Sequence, residues 1–314
     1  MTAARLHEFG SPPRLERVAV PRVEPAHSLV QVEASPLTHL DLTIARGGFG
    51  VRPDLPHTGG TQAVGRVVSS ERFDVGSRVL VRGHGIGTTR AGCWSEYAAV
   101  PDLALTAAAP RLSSALAAAF PQPAATAYAA VHDVADVQPG ERVLVTGATG
   151  AVGQLAAQLA LRAGAQVHGL VRSPARAGLL VPGVQPVIGT EEMGDRCIDV
   201  VIDTVGGDVL TEVMATSVRP TGRVVLVGYT AGVRIALNLP RWLLSEVELL
   251  PLNMMRRASR SAEVLPPLID LLVAGELSFG IEELPFAQLA DGLARLATGT
   301  VSGRAVVTFA SKET

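Results

Sequence analysis

The sequence predicts an α/β chain in which a parallel sheet, covered on both faces by helices, follows a region of short strands and turns. Three observations carry this. Over the first hundred residues β-branched clusters stand between Gly and Pro. From Glu141 to Tyr229 short continuous apolar strands alternate with helical stretches. One glycine-rich turn falls between a strand and a helix.

Taken in order, residues 28–37, 65–70, 77–83 and 93–101 read as strands. The pair Gly65–Ser70 and Ser77–Gly83, joined by the turn at 73–76, reads as antiparallel. The Ala-rich stretch 115–135 predicts a helix, a break at Pro121 and Pro123, and a second helix. Residues 142–148 are a buried strand, 151–165 a helix closed by Gly164, and 166–173, 198–206 and 222–229 further strands. The tail offers two amphipathic helices, 265–277 and 286–299, and a last strand at 303–309.

Composition removes several functions. The chain has 314 residues, 47% hydrophobic and 18% charged, enough for two cores and too apolar for a disordered one. Its net charge is −2 and no basic run occurs, which argues against nucleic acid as a partner. Lys312 is the single lysine, near the C-terminus, so lysine-dependent chemistry is not expected. Cys93 and Cys197 are too few for a disulfide framework or a cysteine-rich zinc site. A membrane span needs about 20 strongly apolar residues, and the most apolar stretch, Leu112–Val131, is Ala-rich and interrupted by Pro121, Gln122 and Pro123. The N-terminus lacks the apolar core of a signal peptide, so a cytoplasmic protein without membrane contact is expected.

Residues Thr146 to Gly153 (TGATGAVG) carry the chemistry. Gly150 and Gly153 stand at the second and third glycine positions of a dinucleotide fingerprint, with Ala148 at the first. Backbone must approach a pyrophosphate without a Cβ in the way, and a helix N-terminus then offers its N–H groups. Ala148, Thr149, Gly150, Ala151, Val152 and Gly153 are therefore the cofactor turn. The end of the next strand, Val167 to Arg176, holds no Asp or Glu to bind a ribose 2′-hydroxyl. Arg172, Ser173 and Arg176 suit a 2′-phosphate instead, which predicts NADPH.

No tyrosine has a lysine four residues on, which rules out the Tyr-x-x-x-Lys pair of short-chain dehydrogenases. The chain instead resembles the medium-chain dehydrogenase/reductases, in their zinc-independent quinone-oxidoreductase (zeta-crystallin-like) branch. The resemblance runs through Thr38-His39-Leu40-Asp41 with Arg46-Gly47, Phe73 to Val79, and Gly92 to Pro101. It continues through Thr126-Ala127-Tyr128, Pro139-Gly140-Glu141, the cofactor turn, Asp203 to Gly207, and Gly303-Arg304.

That resemblance implies a discontinuous GroES-like β-barrel domain, 1–115 with 256–314, around a Rossmann NADPH-binding domain, 116–255. It also implies homodimers through Rossmann edge strands, with 233–240 and 247–254 as candidates. Thr126, Val205, Gly228 and Tyr229 would line the nicotinamide side. Where zinc relatives carry Gly-His-Glu this chain has Gly60-Thr61-Gln62, and the cysteine expected near Thr38 is missing, so no zinc is expected.

A metal-free site suits a quinone or an α,β-unsaturated carbonyl compound, whose conjugation spreads the charge left by hydride addition. Among the catalytic candidates Thr38, Asp41 and Tyr128, Thr38 stands where the branch usually has the asparagine that hydrogen-bonds cofactor ribose or substrate. The proton donor stays open among His39, Asp41 and Tyr128. His39 is also readable as a surface or packing residue and Asp41 as an ion-pair partner of Arg46; Phe49 stands where relatives often have tyrosine. Two other readings remain: an enone or enoyl reductase of a polyketide-like pathway, and a non-catalytic NADPH-binding redox sensor.

Overall fold

The computed structural model describes residues 1–48, 50–190 and 196–310. The chain divides into two units, Met1–Phe120 joined by the chain from Ile281, and Pro121–Gly280. Phe49 and Lys312, singled out above, lie outside the described residues.

The first unit runs β1 (Thr2–Leu6), β2 (Arg14–Arg17), β3 (His27–Pro36), helix α1 (His39–Ala45), β4 (His57–Thr58), β5 (Gln62–Ser69), β6 (Arg78–Arg82), β7 (Tyr97–Pro101), β8 (Leu105–Ala107) and α2 (Ser114–Ala119). It resumes with β15 (Ile281–Pro285), α9 (Leu289–Ala297) and β16 (Arg304–Thr308). β2, β1 and β4 form a small antiparallel sheet. The larger sheet has the order β15-β16-β3-β5-β6-β8, with β7 also on β3, and is antiparallel except at β15–β16. Period-two burial along β3 sends Val30, Val32 and Ala34 inward, and Val30 and Val32 share a core with Val67, Val79, Val81 and Val100. The expected antiparallel pair is β5 on β6, with Gly65 opposite Val79.

The second unit runs α3 (Pro121–Tyr128), β9 (Arg142–Thr146), α4 (Ala151–Arg162), β10 (Gln166–Val171), α5 (Pro174–Ala177), β11 (Gln185–Ile188), β12 (Ile198–Asp203), α6 (Gly207–Thr216), β13 (Val218–Leu226), α7 (Leu239–Ser245), β14 (Glu248–Pro251) and α8 (Ala258–Val273). Every strand pair is parallel, in the order β11-β10-β9-β12-β13-β14. This is the 3-2-1-4-5-6 order of a doubly wound dinucleotide-binding sheet, whose order reverses between β9 and β12. Buried on both faces along Val143–Thr146 and Val200–Asp203, β9 and β12 read as mainly apolar runs, with Arg142 and Asp199 near their starts reaching solvent. α4 buries Leu155, Ala156, Ala157, Leu159 and Ala160, and its alanines let it lie close to its neighbours.

Three features differ from the expected bounds. The return to the first unit falls at Ile281, not residue 256. α8 packs on α3, burying Ser261, Val264 and Leu268, and Asp133 ion-pairs with Arg260 (3.2 Å) and Arg257 (3.7 Å). At the other boundary α2 packs on β3 and β5, so the first unit extends to Phe120 rather than 115. The stretch 233–240 forms no strand; its last two residues open α7, and the sheet's edge strands are β14 on this side and β11 on the other.

One side chain braces the second unit. Arg223 on β13 makes two bonds to Glu141 (2.9 and 2.8 Å) and donates to the carbonyls of Ala135 (2.6 Å) and Asp136 (3.2 Å). Partial burial opposes ionisation of Glu141, but the guanidinium outweighs it and holds the carboxyl below the usual range. Arg223→Ala is predicted to cost about 2 kcal/mol, the scale of hydrogen bonds to charged groups, measured by urea unfolding.

Candidate functional site

In the second unit the site begins where β9 ends. The chain turns at Gly147, whose φ of +60° suits glycine. The Gly150 N–H donates to the Gly147 carbonyl at 2.8 Å and closes the turn. α4 then passes so close that a Cβ on Gly153 would stand 2.2 Å from that same carbonyl oxygen. The left-handed residue is thus Gly147, one place before the position assigned to Ala148, which is 1% exposed.

Gly150 caps α4 without a side-chain bond, so the N–H groups of Ala151, Val152 and Gly153 have no partner inside the helix. They carry the positive end of the helix dipole, and no Cβ at Gly150 stands in front of them. A pyrophosphate fits this donor set.

At the end of β10 Arg172 is exposed, while Ser173 and Arg176 are half-buried. Arg176 Nη2 donates to Thr149 Oγ1 at 2.7 Å, which lays a guanidinium against the turn. Partial burial and the charge of Arg172 both lower the Arg176 pKa, as two nearby cations require. An added anion relieves that repulsion.

The loops after β12 and β13 interlock. Val205 is half-buried and its carbonyl accepts the Ala231 N–H (2.8 Å); the Gly228 N–H donates to Asp203 O (3.2 Å); Tyr229 is 51% exposed. Thr126 is buried in α3 and its hydroxyl donates back to Gln122 O at 2.8 Å.

Tyr128, two residues further, lies on another side of the helix from Thr126. Its hydroxyl accepts from Arg260 Nη2 (3.3 Å), the guanidinium lies 5.3 Å from its ring centre, and the His132 ring lies tilted by 46° with its centre 4.6 Å away. These contacts tie Tyr128 to Arg260 on α8.

In the first unit Thr38 and Asp41 form a capping box at the start of α1. Thr38 Oγ1 accepts the Asp41 N–H (3.1 Å), and Asp41 Oδ2 accepts the Thr38 N–H (2.9 Å) and hydroxyl (2.6 Å). Asp41 Oδ1 accepts the Thr61 N–H at 3.0 Å. Burial raises the Asp41 pKa, and these donors oppose it. The carboxylate is therefore committed to backbone and threonine donors rather than to an ion pair with Arg46, and it holds Thr38 and Thr61 together. In this arrangement the Thr38 hydroxyl donates to Asp41, and the carboxylate positions Thr38 and Thr61.

His39 reaches solvent at one side, yet packing around its ring, with Arg304 and Arg46 nearby, lowers its pKa to about 4. Arg304 donates to Leu37 O (3.3 Å) and keeps its Nε buried without a partner. Burial pushes the Cys93 thiol up to about 12, which removes it as a nucleophile. His57 Nε2 donates to Gly87 O (3.1 Å). Among the described residues no cluster of His, Cys, Asp and Glu has a metal-holding arrangement.

The bond from the Thr61 N–H to Asp41, the Thr146 hydroxyl bond to Asp203 and the orphaned Nε of Arg304 carry no signal in the sequence. Sequence reasoning used Asp203 only as part of a family motif, although an aspartate ending an apolar strand was itself a signal.

Comparison with known proteins agrees with this geometry. Residues 24–110 match the family described as the alcohol dehydrogenase GroES-like domain, and residues 183–307 the family described as zinc-binding dehydrogenase. Quinone oxidoreductase of Lama guanicoe is 31% identical over 255 residues, 75% of each chain. The highly reducing polyketide synthase azaB of Aspergillus niger is 29% identical over 274 residues, 80% of this chain but 10% of that protein. The yhdH oxidoreductase of Salmonella enterica, solved in complex with NADP, superposes with a TM-score of 0.80 at 26% identity over 98% of this chain and 99% of that one. The chain belongs to the medium-chain dehydrogenase/reductase superfamily and is quinone oxidoreductase-like. It is an oxidoreductase that takes a nicotinamide cofactor.

The Asp41 hub gives a stability prediction. Asp41→Asn turns an amide NH₂ toward donors that all need an acceptor, and is predicted to cost about 2 kcal/mol, measured by denaturant unfolding. If removing the buried charge were the dominant effect, the variant would be more stable.

Proposed function

We propose that the chain is a zinc-independent, NADPH-dependent oxidoreductase that reduces a quinone or an α,β-unsaturated carbonyl compound. The observation that carries the cofactor choice is Arg176 resting on Thr149 beside Arg172, at a strand end with no carboxylate.

Ala151, Val152 and Gly153 would hold the pyrophosphate through their N–H groups, and Arg172, Ser173 and Arg176 the 2′-phosphate. Thr126, Val205, Gly228 and Tyr229 would line the nicotinamide side. When bound, NADPH supplies the hydride. The protein's share is orientation, worth several powers of ten when reacting atoms are held in line.

The donor set of the first unit does not fit a catalytic zinc. Thr38 and Thr61 offer hydroxyl and amide groups tied to Asp41, where zinc needs thiolate, imidazole or carboxylate ligands. An acceptor that delocalises charge through conjugation has no need of a Lewis acid. A hydroquinone anion takes its proton from water, which fits a site whose Tyr128 and Asp41 are engaged elsewhere.

A second reading, reduction of an enone or enoyl thioester in a specialised pathway, draws on the match to the polyketide synthase over 80% of this chain.

The proposal includes a homodimer in the cytoplasm. β14 ends the parallel sheet, and α7 beside it exposes Leu239, Leu243 and Leu244, the last at 87%. An open edge next to exposed leucines invites a second copy. No helix among the described residues is long and apolar enough to cross a membrane.

The test is NADPH consumption with a para-quinone, followed by nicotinamide absorbance. Turnover above background that survives exhaustive chelation is expected, and bound NADPH without turnover on quinones or enones favours the sensor reading. Arg176→Ala is predicted to weaken NADPH about tenfold, one charge-assisted hydrogen bond, and leave NADH nearly unchanged. Thr149→Val should show a smaller loss of the same selectivity, and equal losses for both cofactors would remove the 2′-phosphate role. Leu244→Glu should give a monomer by sedimentation.

A further inference from the structure

The last residue of β12 is a carboxylate in an apolar sheet. Asp203 is 0% exposed, and no ion pair reaches it among the described residues. Its Oδ1 accepts the Thr146 hydroxyl (2.6 Å) and the Val205 N–H (3.4 Å), and its Oδ2 accepts the Gly206 N–H (2.8 Å). Burial raises its pKa, and these three donors work against that.

Thr146 belongs to the other side of the sheet's reversal, immediately before Gly147. Its hydroxyl accepts the Thr204 N–H (3.0 Å), and its carbonyl accepts the Thr204 hydroxyl (2.8 Å). A Cβ on Gly147 would stand 2.4 Å from Thr204 Oγ1, so the glycine turn and the 204–206 loop touch with no slack. The Asp203 carbonyl also accepts from Val227 (2.9 Å) and Gly228 (3.2 Å), which brings in the end of β13. One network therefore joins the ends of β9, β12 and β13.

The chemistry of the group matters. Every neighbour of the Asp203 side chain is a donor, so an all-acceptor carboxylate satisfies the site and an amide would not. A buried carboxylate retained without a cation is costly, and it stands where the proposed cofactor meets the sheet rather than in either helix layer.

We infer that Asp203 and Thr146 are positioning residues that fix the 204–206 loop against the glycine turn, and so set the pose in which the nicotinamide is presented for reaction. The inference rests on the cofactor reading above. It places the hub's effect on the hydride-transfer rate rather than on NADPH affinity, because the pyrophosphate donors sit on α4 and do not take part in it. A displacement of about an ångström in a reacting group can cost on the order of a hundredfold in rate.

The experiment is single-turnover reduction of a para-quinone by NADPH-loaded protein, with rates divided by titrated NADPH sites. Thr146→Val keeps the shape and removes both hydroxyl bonds; Thr146→Ser keeps the bonds. Expected is a drop of about tenfold or more for valine, with NADPH affinity within about threefold and serine within about twofold of the unaltered protein. A purely structural role would lower thermal stability and leave the rate per site unchanged.

An unchanged rate in Thr146→Val, or an equal drop in Thr146→Ser, overturns the inference. Should Thr146→Val fail to fold, Thr204→Val serves, since Thr204 is half-buried and outside the strand; a normal rate per site there overturns it equally. Unaltered protein that binds no NADPH overturns the cofactor reading with it, whereas active protein with indifferent variants overturns the hub alone.

Discussion

The second unit depends on one carbonyl oxygen. Gly147 O receives the Gly150 N–H and lies where a Cβ on Gly153 would come to 2.2 Å. Because α4 can approach that closely, its first N–H groups face outward from the turn, where an anion can be bound by backbone alone. Everything else at this end of the sheet is arranged around that contact. Thr146 precedes it, Thr149 carries Arg176, and Thr204 closes over Gly147. A side chain at Gly153 would move the helix and disconnect all of these at once.

The first unit solves a different problem. In zinc enzymes a metal ties ligands from separate segments; here the Asp41 carboxylate ties the start of α1 to Thr61 through hydrogen bonds. Such a carboxylate is saturated by its own neighbours. It holds geometry well and is poorly placed to exchange protons, and this favours acceptors whose protonation needs no dedicated residue. The proposed preference for quinones and enones follows from that limitation as much as from any residue present.

Much of the fold was legible because its signals are local. Apolar strands flanked by glycines, the Gly164 stop, and the turn before α4 all follow from backbone needs that a few residues declare. The boundary at Ile281 was not legible. α8 is amphipathic in either unit, and only its packing on α3 and the ion pairs of Asp133 decide where it belongs. The surroundings of Tyr128 were hidden for a related reason. Its neighbour Thr126 resembles a cofactor residue, but a two-residue step turns the ring to another side of the helix, toward an arginine 132 positions away. Arg176 could be read as an anion ligand from its position, whereas its support by Thr149 is a tertiary contact that spacing does not reveal. That Gly147 is the left-handed residue was not legible, because a glycine fingerprint written without its strand leaves the register of the turn open by one residue.

The central claim is direct hydride delivery from NADPH to a conjugated acceptor. It is tested most directly by reducing an enone with NADPH deuterated at the nicotinamide carbon that gives up the hydride. The account predicts one deuterium on the β-carbon of the product. A product without deuterium, formed at the enzymatic rate, would contradict it.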